Sequence, residues 1–235
     1  MRRHRYLSYS KAQMKYARGY SLITGLTGFF SRTILHFRST ELHYMLSRIH
    51  GQRILDYGCN TGYFTRMIKH AHPSSCVTGA DINSYALKNA RKKNPSINFL
   101  PTHSIIRRKT LFDTIVLSHV IEHIHEREMF LQQLVEKLSP AGRLIIAVPQ
   151  ERIRGDATPI QLAYNCITLQ FENPHVVKLN YEDMCHLLDK IDFKVDEMTY
   201  TNYLPPFTSQ SPLWHRWSMV VVASRKQSKM RRTDK

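Results

Sequence analysis

Between residues 53 and 148, short apolar runs alternate with longer segments in which apolar residues recur every three or four positions. Short apolar runs are typical of strands covered on both faces of a sheet, and the longer spacing is typical of amphipathic helices. Because the two patterns alternate strictly, they predict right-handed βαβ units and a parallel sheet. The predicted strands cover residues 53–56, 76–80, 97–100, 112–117 and 143–148, and the predicted helices cover residues 62–71, 83–93 and 126–138, with a turn at 139–142.

The pattern changes after residue 149. A long polar and aromatic connection over residues 150–179 is followed by a predicted helix at 180–191. Two further strands are predicted at 193–200 and 218–223, separated by a stretch that contains proline and tryptophan. These late elements therefore extend the sheet without adding to the regular alternation.

Apolar side chains recur over residues 20–37, directly after a basic segment, and predict an amphipathic helix. Such a helix either covers a cleft as a lid or lies on a membrane surface with its basic neighbours at anionic headgroups. Gly25 and Gly28 weaken an isolated helix, so we favour the lid.

The positive charge of the chain is concentrated at its ends. The formal net charge is +16, of which residues 1–20 contribute +6 and residues 224–235 contribute +5. Basic ends attract anionic partners, so RNA or a membrane surface is a candidate partner of these segments.

The four cysteines form no C-x-x-C pair and show no zinc-finger spacing, which favours a reduced, cytoplasmic protein. No secretory signal and no membrane-spanning run is predicted, and peripheral contact with a membrane stays open as an alternative. A chain of 235 residues fits one α/β domain with a modest extension.

The segment over residues 54–64 carries the clearest candidate chemistry. It is a buried strand that enters a turn of small residues and continues into a helix, so backbone N–H groups can approach a ligand closely. Asp81 ends the next apolar run, nineteen residues after Gly62, where a carboxylate can accept hydrogen bonds from ribose hydroxyls. Together these features predict a site for an adenosine-type cofactor.

The run Asp56-x-Gly58-x-x-x-Gly62 resembles the first motif of class I S-adenosylmethionine-dependent methyltransferases, D-x-G-x-G-x-G, with Asn60 in place of the middle glycine. Asparagine tolerates a left-handed backbone, so the turn is expected to survive. Residues 111–124 resemble the F-D-x-x-x…E-H-I segment of members that act on quinones, sugars and other small metabolites. Residues 138–146 resemble the next segment, L-x-P-G-G-x-L-x-x.

The resemblance implies a Rossmann-like α/β fold with a seven-stranded, mostly parallel sheet, an antiparallel last strand and helices on both faces. It implies S-adenosyl-L-methionine as cofactor and S-adenosyl-L-homocysteine as product. An acid that often contacts adenine after the third strand is missing, and His103 or Ser104 is the candidate substitute. The implied cofactor-binding residues are Asp56, Tyr57, Gly58, Cys59, Asn60, Gly62, Asp81, Ile82, His103 and Ser118.

The residues after the fourth strand leave two interpretations open. If they lie on one helix, His119, Glu122 and His123 share a face and could bind a metal with His175, as in small-RNA 3′-terminal 2′-O-methyltransferases. Alternatively, His119 is a general base titrating near neutrality or a structural residue, and Glu122 with His123 is the common family pair. We favour the second interpretation, with His119 and His123 as catalytic candidates and no metal.

The predicted activity is O-methylation of a small-molecule acceptor that is quinone-, sugar- or lipid-like, with His175 as a candidate substrate-binding residue. The alternatives are an RNA methyltransferase, including a 2′-O enzyme, and a catalytically silent scaffold that binds the cofactor. No N-P-P-Y run follows the fourth strand, which disfavours methylation of base amino groups, and DNA is not an expected partner. The predicted organisation is a helical lid over residues 1–50, a methyltransferase domain over 51–224 and a basic tail over 225–235.

Overall fold

The computed structural model describes residues 37–150 and 178–226. Its strands are β1 (Arg53–Tyr57), β2 (Cys76–Asp81), β3 (Asn98–Pro101), β4 (Phe112–Ser118), β5 (Leu138–Pro149), β6 (Phe193–Asn202), β7 (Thr208–Ser209) and β8 (Arg216–Arg225). Its helices are α1 (Phe37–Leu46), α2 (Tyr63–Ala71), α3 (Ser84–Lys93), α4 (Thr102–Arg107), α5 (Arg127–Val135) and α6 (Tyr181–Asp189), with one 3₁₀ turn at Ile121–His123.

All of these strands join one sheet in the order β3-β2-β1-β4-β5-β8-β6-β7. The first five strands in that order run parallel, whereas β8 is antiparallel to both β5 and β6. The mostly parallel sheet and its antiparallel last strand are therefore confirmed. The predicted number of seven strands was wrong by one, because the two residues of β7 pair with Tyr200 and Thr201.

Alternate residues of the central strands pack on opposite faces of the sheet. One face lies under α1 and α2, and the other lies under α5 and α6. Leu55 and Ile115 belong to the second face, and their neighbours Ile54 and Val116 belong to the first. This alternation explains why the strand sequences are almost continuously apolar.

Asparagine side chains begin two of the helices. Asn83 Oδ1 accepts hydrogen bonds from the backbone N–H groups of Tyr85 and Ala86 at the start of α3, as predicted for an N-cap. At the start of α6, the Asn180 side chain and the Asp183 side chain each accept the other residue's backbone N–H, forming a capping box.

One local prediction was wrong, and two helices were missed. The predicted turn over residues 139–142 lies inside the long strand β5, where the register against β4 shifts between Phe112 and Thr114. Helices α1 and α4 were not predicted as separate elements. The predicted helix over residues 20–37, except for its last residue, and most of the 150–179 connection lie outside the described residues. Within the described ranges, no helix has the length and apolar character needed to span a bilayer.

Candidate active site at the carboxyl edge of the sheet

Three segments meet at the carboxyl edge of the parallel strands. The turn over residues 58–62 follows β1, Asp81 ends β2, and Ser118 ends β4. Strand β1 lies between β2 and β4, and the strand order reverses at this point. Open α/β sheets bind ligands in the crevice at such a switch point, so this edge is the expected site.

The turn has the backbone geometry that its small residues predict. Gly58, Asn60 and Gly62 have positive φ values of 88°, 48° and 77°. Gly58 N and Cys59 N both donate to Ala80 O, at 2.7 and 3.0 Å, which fastens the turn to the end of β2. The expectation that Asn60 can occupy a left-handed position is confirmed.

Asp81 joins the turn to the start of α3. Its Oδ2 accepts the backbone N–H of Asn60 at 2.7 Å, and its Oδ1 accepts that of Asn83 at 2.8 Å. Burial raises the pKa of this carboxyl group, and the N–H donors only partly offset that effect. Because a carboxylate has about four lone-pair sites, Asp81 can accept further hydrogen bonds from a bound ligand. Ile82, beside it, is 47% exposed and offers an apolar surface.

Asp56 is almost completely buried, with 2% of its surface exposed. Thr65 Oγ1, in the first turn of α2, donates to Asp56 Oδ2 at 2.6 Å. Burial raises the pKa of Asp56 to about 6 despite this donor. The contact links β1 to the helix that follows the turn.

Replacing Thr65 by valine should lower the free energy of unfolding by about 2 kcal/mol, because the buried Asp56 carboxylate loses its hydroxyl donor. Chemical denaturation measures the change. Thr78→Val is the matched control, since Thr78 is also buried and its hydroxyl makes no side-chain hydrogen bond among the described residues. Equal losses in the two variants would contradict the assigned role of Thr65.

Two predicted cofactor residues pack their side chains against apolar neighbours. The Tyr57 ring packs edge-on against Phe130, with ring centroids 5.5 Å apart. Cys59 is buried in the apolar cluster with Leu87 and Phe99, and burial raises the pKa of its thiol. Contacts of Cys59 with a ligand would therefore come from its backbone atoms.

Two other predicted site residues are at least partly accessible to solvent. His103 is exposed on α4, just beyond β3, and Ser118 is half-buried at the end of β4. His175 lies outside the described residues.

His119 is the centre of a buried charged cluster. Its Nε2 lies 3.1 and 3.0 Å from the two carboxylate oxygens of Glu41, which comes from α1 and is 0% exposed. On the other side of the ring, Nδ1 lies 3.6 Å from Glu122 Oε1, beyond hydrogen-bond distance. The imidazole also contacts the Trp217 ring, with centroids 5.9 Å apart.

The two carboxylates determine the charge of His119. Burial alone would lower the pKa of the imidazole, but Glu41 and Glu122 outweigh it and raise this pKa to about 9. The pKa of Glu122 is lowered, because the imidazolium outweighs the effect of burial. The general-base interpretation of His119 required a pKa near neutrality, and the raised pKa argues against it.

The metal interpretation assumed that the residues from His119 onward form one helix. Instead, His119 has φ 55° at the end of β4, and only a single 3₁₀ turn follows. His123 is half-buried in that turn, and its electrostatic interaction with Glu122 contributes to lowering the pKa of that carboxyl group. Among the described residues, no group of three His, Cys, Asp or Glu side chains is arranged to bind a metal.

The sequence did not indicate three residues of this site: Glu41, Thr65 and Trp217. Each contacts a predicted residue only after folding, and Glu41 is separated from His119 by 78 positions. No local motif marks them.

Comparison with known proteins agrees with this geometry. A family model described as a methyltransferase domain matches residues 31–198. The mitochondrial ubiquinone biosynthesis O-methyltransferase of Schizosaccharomyces pombe is 23% identical over 205 residues, covering 80% of this chain and 72% of that protein. A probable S-adenosylmethionine-dependent methyltransferase of Mycolicibacterium smegmatis is 26% identical and covers 68% of this chain and 60% of its own length.

Solved structures share the fold at low sequence identity. The magnesium protoporphyrin IX methyltransferase of Synechocystis, solved with bound S-adenosylmethionine, superposes with a TM-score of 0.60 at 14% identity, covering 94% of this chain and 99% of that one. A TehB-like S-adenosylmethionine-dependent methyltransferase of Corynebacterium glutamicum gives a TM-score of 0.61 at 14% identity, covering 90% and 99%.

Proposed function

The chain belongs to the class I S-adenosylmethionine-dependent methyltransferases, and we propose that it methylates an oxygen atom of a small-molecule acceptor. The observation that carries the acceptor class is the similarity over 80% of the chain to an O-methyltransferase of ubiquinone biosynthesis. The end of β4 adds support, because Leu117, Ser118 and His119 stand where base amino-methyltransferases carry an N-P-P-Y run. A quinone-, sugar- or lipid-like hydroxyl compound is the proposed acceptor.

The residues at the carboxyl edge fit S-adenosylmethionine. Asp81 would accept hydrogen bonds from the ribose hydroxyls, and Ile82 would pack against the adenine. The turn over residues 58–62 would approach the methionine portion with its backbone, since its glycines carry no side chain there. When bound, the cofactor supplies an electrophilic methyl group on a sulfonium sulfur.

The chain's own contribution to methyl transfer would be positioning. Ser118 and His119 end the strand that faces the crevice, beside the cofactor turn. A protonated His119 cannot accept the proton of an acceptor hydroxyl, so we assign it an electrostatic and structural role. Holding the acceptor oxygen in line with the methyl group can supply much of the rate acceleration without a strong base.

Calorimetric titration with S-adenosylmethionine and S-adenosylhomocysteine tests the cofactor site. The wild-type protein should bind with micromolar affinity, and Asp81→Ala should weaken binding at least about tenfold, because the ribose loses its acceptor. Asp113→Ala is the matched control: Asp113 also accepts two backbone N–H groups, from Gln52 and Arg53, but away from the site. Failure of the folded wild-type protein to bind either compound would overturn the proposal.

An acceptor screen with radiolabelled cofactor then tests the substrate class. Methyl transfer to hydroxylated quinones, sugars or lipids would support the proposal. Transfer to RNA alone, with steeply salt-dependent RNA binding through the basic ends, would replace it with the RNA alternative. Binding of the cofactor without turnover on any acceptor would favour the scaffold.

We also propose that residues 1–50 cover the acceptor side of the site. Helix α1, the described part of this segment, packs against α2, β6 and β8. Its Glu41 reaches the end of β4. These contacts support a lid more than a separate membrane anchor, and the basic tail over residues 225–235 stays a candidate site for an anionic partner.

A further inference from the structure

Glu41 joins the N-terminal segment to the proposed methyl-transfer site. Its carboxylate is 0% exposed, yet it comes from a helix that lies before the first strand of the sheet. Both of its oxygens lie within 3.1 Å of His119 Nε2. A buried carboxylate requires a partner of opposite charge, and His119 provides it.

Glu122 places a second buried carboxylate on the other side of the same ring. It is 1% exposed, and within the described ranges neither of its oxygens has a hydrogen-bond partner. Its compensation is therefore the charge of His119, 3.6 Å away, with His123 adding a smaller contribution. If His119 lost its proton, two carboxylates would remain buried around a neutral ring, at a high electrostatic cost.

The backbone at this point places His119 next to the cofactor turn. His119 holds a left-handed φ of 55°, and its N–H donates to Ala147 O at 3.0 Å. The next residue, Val120, packs directly on the turn, so that a Cβ atom added to Gly58 would lie 2.3 Å from Val120 Cγ2. A strained backbone of this kind persists only where its surroundings hold it in place.

We infer that Glu41 is a positioning residue of the methyltransferase site: it holds His119 as a cation against Glu122, and so fixes the end of β4 and seats α1 beside the acceptor. This inference rests on the proposed function. The described groups that face the imidazole are Glu41 from α1, Glu122 from the 3₁₀ turn and the uncharged Trp217 ring from β8.

The test compares Glu41→Gln with Glu41→Asp and with a matched control on the same segment. Glu41→Gln keeps the shape and removes the charge, and Glu41→Asp keeps the charge on a shorter side chain. Glu197→Gln is the control, because Glu197 also pairs with the N-terminal segment, through Arg48 at 2.6 Å, but on the exposed surface. The readouts are the pKa of His119 by NMR of ¹⁵N-labelled histidine, kcat/KM for the acceptor, and the Kd for S-adenosylmethionine.

In Glu41→Gln, the pKa of His119 should fall by at least about one pH unit, because one of its two anionic neighbours is gone. The kcat/KM for the acceptor should fall about tenfold, with its pH profile shifted in the same direction. The Kd for the cofactor should change less than about twofold, since Glu41 does not contact Asp81 or the turn. Glu41→Asp should recover part of the loss, and Glu197→Gln should match the wild type.

An unchanged His119 pKa or an unchanged kcat/KM in folded Glu41→Gln would overturn the inference. If this variant does not fold, the wild-type titration decides: a His119 pKa near 6.5 would overturn it, and a value near 9 would support it. The NMR titration needs no cofactor. A wild-type protein that fails to bind S-adenosylmethionine therefore overturns the proposed function separately from the role of Glu41.

Discussion

Replacing Gly58 by alanine is expected to weaken the binding of S-adenosylmethionine by more than about a hundredfold. Gly58 has φ 88°, a conformation that costs a residue with a Cβ atom about 1–2 kcal/mol. The new Cβ would also lie 2.3 Å from Val120 Cγ2, so the turn or the end of β4 must move. Such a movement would disturb the hydrogen bond from Gly58 N to Ala80 O. Calorimetric titration of the folded variant measures the loss.

Gly51→Ala separates this effect from backbone strain in general. Gly51 has nearly the same φ, 87°, and a Cβ atom there would lie 2.2 Å from Asp113 Cβ. It precedes β1, at the end of the sheet opposite the cofactor turn. Both variants should lose thermal stability, but Gly51→Ala should keep the cofactor affinity of the wild type within about threefold. Cofactor binding by Gly58→Ala at the wild-type level would contradict the assigned role of the turn.

The strands that position the site were predictable because their signals are local. Helices cover both faces of β1, β2 and β4, so the interior positions of these strands are buried almost without interruption and carry short apolar runs. The predicted strands end within one residue of the observed ones, and the carboxyl ends of parallel strands meet at one edge. The position of Asp81 beside the turn followed from spacing alone.

Elements were missed where the local sequence pattern is weak or where only tertiary contacts form the element. A two-residue strand such as β7 is too short to show a periodic pattern. It forms because its backbone pairs with β6. Residues 139–142 carry a proline and a glycine and were interpreted as a turn, but β4 and β5 continue to pair around them as an irregularity. Local composition cannot distinguish a turn that ends a strand from one that only deforms it.

The charge of His119 could not be derived from the sequence. An isolated histidine titrates near neutrality, and the pKa of His119 is raised by Glu41, which lies 78 positions away in the sequence, together with Glu122. The same limit applies to Cys59 and Tyr57, which belong to a binding motif although the Cys59 side chain is buried and the Tyr57 ring packs against Phe130. A motif identifies a site by its backbone, whereas the ionisation of its side chains is determined by tertiary contacts.

The free energy of unfolding is expected to decrease by roughly 3 kcal/mol between about pH 6.5 and pH 9 because of His119. The pKa of this group is raised in the folded protein, from 6.5 to about 9. Its contribution to stability is therefore fully present below pH 6.5 and is lost as the pH rises through 9. Urea denaturation at a series of pH values measures the decrease.

His119→Gln is the control for the loss of stability between pH 6.5 and 9, because it removes the titrating group while the other ionisable residues remain. The difference between wild type and variant should decrease as the pH rises from about 6.5 to 9. Asp56 affects stability in a separate pH range, because its pKa is raised from 3.8 to about 6. Its ionisation lowers the free energy of unfolding as the pH rises between those two values, in the wild type and in the variant alike. A difference that does not vary between pH 6.5 and 9 would show that Glu41 and Glu122 do not hold His119 as a cation.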